Sequence, residues 1–225
     1  MGVVPLGFLL TACTPTPTQP ATDRTLLAAG AVTTVRSGRP PLCDASGAAT
    51  HLGAGLFVTA AHVVDGSVQR LRGDCPPATS VTVALRGVTT TATLLRAGQD
   101  RIQPVVGQRY LRGEDLALLR AATPPRDIPG AIPCAADPPP GTPALLVTPR
   151  RSLRTRIASL FRETDPAFGT YLEIPVTLEP GESGGAVLDA TTGCLAGIIS
   201  HRDEDGGPPR TRLVPASVIH RFAGT

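Results

Sequence analysis

The sequence contains no lysine, so all 21 of its basic residues are arginine. We attribute this bias to genome composition rather than to function. The net charge is only +3, which is too small to indicate nucleic-acid or membrane-surface binding. Heptads and internal repeats are also lacking, so nothing indicates a coiled coil or a repeat protein.

Long apolar runs are lacking at the N-terminus too. Residues 3–12 are mostly apolar, but this segment is shorter than the about 20 residues that span a bilayer. It has the length of a signal-peptide core, although residues 1–2 lack the positive charge with which such a peptide normally begins. We predict that residues 1–12 are a signal peptide and that the protein is exported.

The cysteine count is odd, which indicates that one cysteine has a separate role. The five cysteines lie at positions 13, 43, 75, 134 and 194. Cys13 stands apart at the end of the apolar run, and residues 10–13 read LTAC, which resembles a bacterial lipobox. The resemblance implies cleavage before Cys13 and lipidation of its thiol, which would anchor the chain to a membrane. The alternative is an ordinary secretory signal with an incidental cysteine.

The segment after Cys13 is rich in threonine and proline. Alternating proline disfavours helix and central strand and gives an extended spacer. We therefore predict that residues 13–24 tether a folded part to the cell envelope, on its periplasmic or extracellular face. Without lipidation the protein would be secreted.

The composition of the remaining chain favours short strands joined by turns, because glycine and proline number 24 each. Apolar runs that predict strands lie at residues 81–85, 92–95, 116–119, 144–147, 171–174 and 196–199. Such a series is typical of an all-β barrel or sandwich. The proline-rich residues 123–143 are predicted to link two halves, 25–122 and 144–225. The best helix candidate starts at Pro215 and stops at Gly224.

Three short motifs carry candidate chemistry. His62 ends the motif TAAH, Asp115 opens DLALL, and Ser183 is the centre of GESGG. A serine hydroxyl becomes a nucleophile when a neutral imidazole removes its proton. A buried carboxylate fixes the imidazole tautomer and stabilises its charged form. Glycines allow backbone N–H groups to converge on a developing oxyanion.

These motifs, in the chain order His, Asp, Ser, closely resemble those of bacterial members of the trypsin/chymotrypsin family of serine proteases. The resemblance covers about residues 30–222. It implies an all-β fold of two antiparallel six-stranded β-barrels with a short C-terminal helix. It implies a catalytic triad of His62, Asp115 and Ser183 and an oxyanion hole of the Gly181 and Ser183 N–H groups. The implied reaction is peptide-bond hydrolysis through an acyl-enzyme, without a cofactor or metal.

The resemblance also suggests which residues meet the protein or peptide substrate. Ser200 would lie beside the triad, and His201 would line the specificity pocket, with a solvated loop histidine as the alternative. Thr177 occupies the position of the floor of the primary pocket. Because Thr177 is not acidic, a preference for Arg or Lys is not supported, and Leu178 does not support a preference for Glu. The primary specificity is therefore left open.

Two other classes of protein share features with this sequence. A GxSxG motif also occurs in α/β-hydrolases, but these place their acid and histidine after the nucleophile, and too few residues follow Ser183 for that. The second rival is a non-catalytic binding lipoprotein built on the protease fold, against which the intact triad argues. We expect a monomeric enzyme that binds no nucleic acid.

Glu182 stands where the family usually has an aspartate that, in animal zymogens, pairs with a newly cut N-terminus. The predicted tether and the lack of an IVGG start argue against that activation, so an internal arginine would pair with Glu182 instead. The sequence does not say which one. The cluster of Arg150, Arg151, Arg154 and Arg156 is interpreted as a solvated loop or strand face.

The four cysteines other than Cys13 allow three disulfide pairings. We prefer Cys43–Cys75 and Cys134–Cys194, because each pair keeps mainly to one half of the molecule. An exported protein meets the oxidising conditions that both disulfides require.

Overall fold

A computed structural model describes residues 23–39, 43–66, 81–103, 107–203 and 208–224 of the chain. Its N-terminal half forms a closed antiparallel barrel with the strand order β1-β2-β3-β8-β5-β4. The six strands are β1 (Val32–Arg39), β2 (Cys43–Gly53), β3 (Leu56–Thr59), β4 (Val81–Leu85), β5 (Val88–Ala97) and β8 (Ala117–Ala121). The hairpin of β6 (Asp100–Gln103) and β7 (Gly107–Tyr110) extends from this barrel between β5 and β8.

The period-two pattern of a strand explains how the barrel fills its interior. In β4, Val81, Val83 and Leu85 are buried, whereas the two residues between them are partly exposed. These side chains join Phe57 of β3 and Leu119 of β8 in one apolar core. The barrel is therefore packed with side chains and is not a pore.

The C-terminal half is a curled sheet of seven strands in the order β10-β9-β13-β14-β15-β12-β11. Its strands are β9 (Pro143–Val147), β10 (Ser152–Arg156), β11 (Ser159–Arg162), β12 (Thr170–Ile174), β13 (Ala186–Asp189), β14 (Leu195–Asp203) and β15 (Arg210–Pro215). The predicted all-β fold is thus confirmed. In detail, the second unit differs from a closed six-stranded barrel, because β10 and β11 form the two edges of an open sheet.

Helices are few and short. They are α1 (Asp23–Ala29), α2 (Ala61–Val64) and α3 (Ala216–Ala223), with the 3-10 turns η1 (Leu111–Gly113) and η2 (Pro166–Phe168). The predicted C-terminal helix is α3, which follows Pro215 and ends at Gly224 in the left-handed conformation, with φ 74°. Among the described residues, no helix has the length and apolarity needed to cross a membrane.

The two units are joined by a shared hydrophobic core. Val58 and Leu116 of the barrel half belong to the same buried cluster as Tyr171, Ile198 and Val214 of the sheet. Burying such side chains stabilises the fold by about 25 cal/mol for each Å² of apolar surface that is removed from water. The shared core therefore stabilises the two halves against each other and gives the groups at their boundary a defined position.

One of the two preferred disulfides lies within the described residues. Cys134 and Cys194 are bonded, with Cα atoms 4.9 Å apart, which confirms that pairing. The bond ties the segment between the halves to the start of β14, where the Cys134 N–H also donates to the Leu195 carbonyl over 3.0 Å. Cys43 is disulfide-bonded as well, but its preferred partner, Cys75, lies outside the described residues, so that pairing stays a prediction.

Candidate active site

His62 and Asp115 meet because the strands that carry them are neighbours. Strand β3 runs antiparallel to β8, with Thr59 opposite Ala117. His62 lies in α2 just beyond the end of β3, and Asp115 comes just before the start of β8. The end of one strand and the start of its antiparallel neighbour lie at the same edge of the barrel. The two motifs, 53 residues apart in the chain, are thus brought together.

Asp115 holds His62 through both of its carboxylate oxygens. The His62 Nδ1 lies 2.9 Å from Asp115 Oδ2, and the His62 backbone N–H donates to Oδ1 over 3.1 Å. Ser200 donates a third hydrogen bond, from its hydroxyl to Oδ2 over 2.6 Å. Asp115 is 2% exposed and Ser200 is fully buried, so these bonds are formed away from water. The imidazole is therefore fixed in ring orientation and tautomer.

The contacts of this pair shift both pKa values. Burial alone would raise the pKa of Asp115, but the charge of His62 and the hydrogen bonds from His62 and Ser200 hold it below its usual value. Burial alone would lower the pKa of His62, but the charge and hydrogen bond of Asp115, helped by the charge of Asp65, raise it. The pair therefore favours an ionised carboxylate and stabilises the protonated imidazole.

The loop that carries Ser183 is anchored to both halves of the molecule. The Ser183 carbonyl accepts from the Ala48 N–H of β2 over 2.7 Å, and the Gly184 N–H donates to the Ile199 carbonyl of β14 over 2.8 Å. Gly184 has φ +88°, and a Cβ added there would lie 1.9 Å from the Ala48 carbonyl oxygen. Only glycine fits this close approach. Ser183 is thus held at the boundary of the two units.

The structure does not join the Ser183 side chain directly to the histidine. Within the described part of the chain, no hydrogen bond links Ser183 Oγ to His62. The backbone N–H groups of Gly181 and Ser183 likewise have no acceptor among the described residues. Gly181 has φ +90°, and the Arg150 guanidinium lies close to it. The N–H groups of Gly181 and Ser183 are therefore two donors that are available close to the Ser183 side chain.

Glu182 is buried completely and is paired with Arg151. The Arg151 Nε donates to Glu182 Oε1 over 2.8 Å and its terminal nitrogen donates to Oε2 over 2.7 Å. The Thr148 hydroxyl and the Glu179 N–H add bonds of 3.2 and 2.8 Å. Burial would raise the pKa of Glu182, but the hydrogen bonds and charge of Arg151 and the Glu179 N–H keep it below its usual value. Arg151 is therefore the internal arginine that the sequence could not single out.

Asp65, a carboxylate three residues after His62, has a different contact. Its Oδ2 accepts a hydrogen bond from the Tyr110 hydroxyl over 2.7 Å. Asp100, a carboxylate 15 residues before Asp115, is the first residue of β6. Of the three carboxylates, Asp115 is the one whose two oxygens form hydrogen bonds with both the ring and the backbone N–H of His62.

A cavity of about 140 Å³ lies against the His62–Asp115 pair. It is lined by His62, Arg109, Tyr110, Asp115, Tyr171 and His201. The sequence motifs did not single out Arg109, Tyr110 or Tyr171, because nothing in their local sequence distinguishes them from other strand residues. The fold brings them to one cavity from β7 and β12, where the Tyr171 ring also meets His201 of β14.

Comparison with known proteins identifies the family. A family model described as a trypsin-like peptidase domain matches residues 45–198, which is more than half of the chain. The chain belongs to this family. No curated protein sequence matches it.

Solved structures of proteases resemble this trypsin-like peptidase in fold. The Rv3671c protease of M. tuberculosis in its active form superposes with a TM-score of 0.67 at 19% identity, covering 96% of this chain and 93% of that one. The HtrA-type protease AlgW with a decapeptide gives 0.65 at 22% identity, covering 90% and 66%. AlgW with a tripeptide gives 0.64 at 22%, covering 89% and 61%. The chain spans less than two thirds of the AlgW chains, and at these identities the likeness shows the chymotrypsin-like fold alone.

The residues predicted to meet substrate occupy two places in the trypsin-like peptidase. Thr177 is exposed, and its carbonyl accepts from Arg151 over 2.8 Å, so it is joined to the Glu182 ion pair. Ser200 donates a hydrogen bond to Asp115. His201 follows it and lines the cavity, and so it is not a solvated loop histidine.

Proposed function

We propose that this trypsin-like peptidase is an exported serine endopeptidase that hydrolyses peptide bonds through an acyl-enzyme. Ser183 is the nucleophile, His62 the general base and acid, and Asp115 the carboxylate that orients His62. The observation that carries the proposal is the buried Asp115 carboxylate, which forms hydrogen bonds with the ring Nδ1 of His62 over 2.9 Å and with its backbone N–H over 3.1 Å.

The proposed reaction follows from the proton inventory of these groups. His62 Nε2 takes the proton of the Ser183 hydroxyl as Oγ attacks the scissile carbonyl carbon. The resulting imidazolium is stabilised by Asp115, in keeping with the raised pKa of His62. His62 then protonates the leaving amine, and the C–N bond breaks to give the acyl-enzyme. Water activated by His62 attacks the ester, which releases the acid and restores the Ser183 hydroxyl.

The developing oxyanion is proposed to be bound by the N–H groups of Gly181 and Ser183. In support, neither group has a hydrogen-bond acceptor within the described residues, so both are available to a ligand. The glycine conformation at Gly181 favours this arrangement, since its φ of +90° is one that other residues rarely adopt. Removing one such donor typically costs about 10²-fold or more in kcat.

The active-site loop is proposed to need no freed N-terminus for its active shape. Glu182 precedes the nucleophile directly, and its buried charge is already neutralised by Arg151 from the same chain. This ion pair performs the task that a newly cut N-terminus has in zymogen-derived relatives. The peptidase would then be competent as soon as it has folded.

The test of the peptidase activity is labelling by a fluorophosphonate, which forms a bond from Ser Oγ to phosphorus with loss of fluoride. We expect the wild type to label and the Ser183→Ala variant not to label. The matched control is Ser217→Ala, because Ser217 lies in α3 and contacts Asp137. A folded wild type that never labels would contradict the proposal and favour a non-catalytic binding protein on the same fold.

The proposed location is the cell envelope, through a lipid on Cys13. The motif LTAC and the threonine- and proline-rich residues 14–23 support it. The nine residues 14–22, which precede α1, would reach about 28 Å if extended, enough to separate a small domain from a bilayer. Metabolic labelling with palmitate should mark the wild type and not Cys13→Ser. Label that persists in the variant would rule out this anchor and leave a secreted protein.

A further inference from the structure

A hydrogen-bonded chain continues from Asp115 through Ser200 to His201. The Ser200 hydroxyl lies 2.6 Å from Asp115 Oδ2 and 2.9 Å from Nδ1 of His201. His201 lines the cavity that His62 and Asp115 also line. We infer that His201 is a positioning residue, which donates a hydrogen bond to Ser200 and so fixes the Ser200 hydroxyl on Asp115. The inference rests on the proposed peptidase function.

The direction of each bond follows from the number of protons. An ionised carboxylate only accepts, so Ser200 must use its single proton on Asp115. The oxygen of Ser200 can then only accept from His201, which places the His201 proton on Nδ1. The other nitrogen, Nε2, is buried and has no hydrogen-bond partner among the described residues. A buried nitrogen that carries no proton costs less free energy without a hydrogen-bond partner than a buried N–H group does.

The surroundings of His201 keep it neutral and hold its ring. Burial, together with the positive charges of Arg212, Arg109 and His62, lowers the pKa of His201 to about 4 against the opposing charge of Asp115. The ring meets the Tyr171 ring edge-on, with centroids 5.4 Å apart. At neutral pH His201 therefore carries one proton and keeps one orientation.

The bond from His201 acts on His62 through two intermediates. A hydroxyl that accepts a hydrogen bond becomes a stronger donor, so His201 strengthens the bond from Ser200 to Asp115. That bond draws negative charge away from the oxygen that also faces His62 Nδ1. Without the His201 donor, the Ser200 hydroxyl is held by Asp115 alone, donates a weaker hydrogen bond, and leaves the carboxylate charge less delocalised. The pKa of His62 should then rise, and the ring should be held less firmly.

Two substitutions test the hydrogen-bond donor and the ring of His201 separately. His201→Phe keeps a planar ring against Tyr171 and removes the donor. His201→Asn removes the ring, but its amide nitrogen is bonded to Cγ, as Nδ1 is in histidine, so it can still donate to Ser200. We expect His201→Phe to lower kcat about tenfold, a change that corresponds to one lost hydrogen bond. The acidic limb of the kcat/KM profile should move to higher pH, and His201→Asn should restore most of both properties.

The outcomes distinguish this inference from a failure of the proposed function. An unlabelled wild type in the fluorophosphonate assay contradicts the peptidase, whatever His201 does. The His62 pKa can still be measured by NMR titration of the labelled imidazole in the Ser183→Ala background, where no activity is needed. A pKa that rises in His201→Phe and returns in His201→Asn supports the inference. An unchanged pKa in His201→Phe, or an equal change in both variants, would overturn it.

Discussion

Arg151 and Glu182 form a bidentate ion pair, in which the partly exposed Arg151 side chain covers a carboxylate that has no exposure to solvent. Glu182 is the residue before Ser183, so the position of the proposed nucleophile depends on this contact. Breaking a buried pair leaves one charge without compensation, which is far more costly than losing an exposed pair. The ion pair therefore couples the stability of the fold to the geometry of the active-site loop.

Replacing Arg151 with alanine should destabilise the protein by about 3 kcal/mol at neutral pH. This is the low end of the range for breaking a buried pair, because Arg151 is itself partly exposed. Fluorophosphonate labelling should slow as well, because the Ser183 loop loses its support. Chemical denaturation checks the first effect. The matched control is Arg156→Ala, an exposed residue of the same basic cluster, whose effect should stay within about 0.5 kcal/mol.

The pH dependence of this destabilisation has a defined sign. In the wild type the pKa of Glu182 is lowered, so its stabilising contribution is present above the ordinary value of 4.5 and is lost as the pH falls through the lowered value. Without Arg151, burial is the dominant effect and raises the pKa, so the variant loses stability as the pH rises above 4.5. The gap between the two unfolding free energies should therefore widen from pH 3.5 to pH 7. A gap that is constant with pH would mean that Glu182 is not the group affected.

Replacing Asp115 with asparagine should lower kcat/KM about 10⁴-fold, because the amide no longer fixes the tautomer of His62 or stabilises its positive charge. The acidic limb of the kcat/KM profile against pH should also move. In the wild type Asp115 raises the pKa of His62, so activity rises with pH through a value above 6.5. In the variant, burial lowers that pKa and the limb shifts to lower pH.

The control for this experiment is Asp65→Asn. Asp65 also raises the pKa of His62 through its charge, but its Oδ2 accepts from Tyr110. We expect a small downward shift of the limb and a loss of kcat/KM below about tenfold. Equal losses in Asp65→Asn and Asp115→Asn would contradict the assignment of Asp115 as the orienting carboxylate.

The sequence predicted those parts of the molecule that depend on local pattern. The strands at residues 81–85 and 171–174 appear with little change in their bounds, because β-branched and aromatic residues between turn signals leave few alternatives. The helix after Pro215 was predictable from its first turn and its terminal glycine. Strands β10 and β11 were not predicted: β10 is largely exposed and carries two arginines instead of an alternating apolar face, and β11 has only four residues.

Long-range contacts between side chains were beyond sequence reasoning. Glu182 required a cation, but Arg151 lies 31 residues away within a cluster of four arginines, and only the turn after β9 decides which of them reaches it. The role of His201 depends on a rotamer and a tautomer, neither of which has a sequence signal. The three motifs of the site were recognisable because each proposed triad member lies in a short segment whose neighbouring residues form a local sequence pattern.

Removal of the Cys134–Cys194 disulfide should lower the unfolding free energy by about 4 kcal/mol. The bond closes a loop between residues 60 positions apart, and constraint of the unfolded chain scales with the logarithm of that length. The double variant Cys134→Ala/Cys194→Ala avoids disturbing the disulfide of Cys43. Chemical denaturation in the absence of reductant checks the effect. An unchanged unfolding free energy would show that the bond constrains little in the unfolded state.

Glycine at position 184 is required by a close contact as well as by its conformation, and a second glycine separates the two causes. Gly141 has φ +91° and nothing within 4 Å of an added Cβ, whereas at Gly184 the Cβ would overlap the Ala48 carbonyl. Gly141→Ala should therefore cost about 1 kcal/mol, from the backbone conformation alone. Gly184→Ala should cost more than about 3 kcal/mol, because the overlap must push β2 away from the loop. It should also abolish fluorophosphonate labelling under conditions in which the variant is still folded. Equal costs for the two variants would mean that the loop and β2 are not held in contact by the bond from the Ala48 N–H to the Ser183 carbonyl.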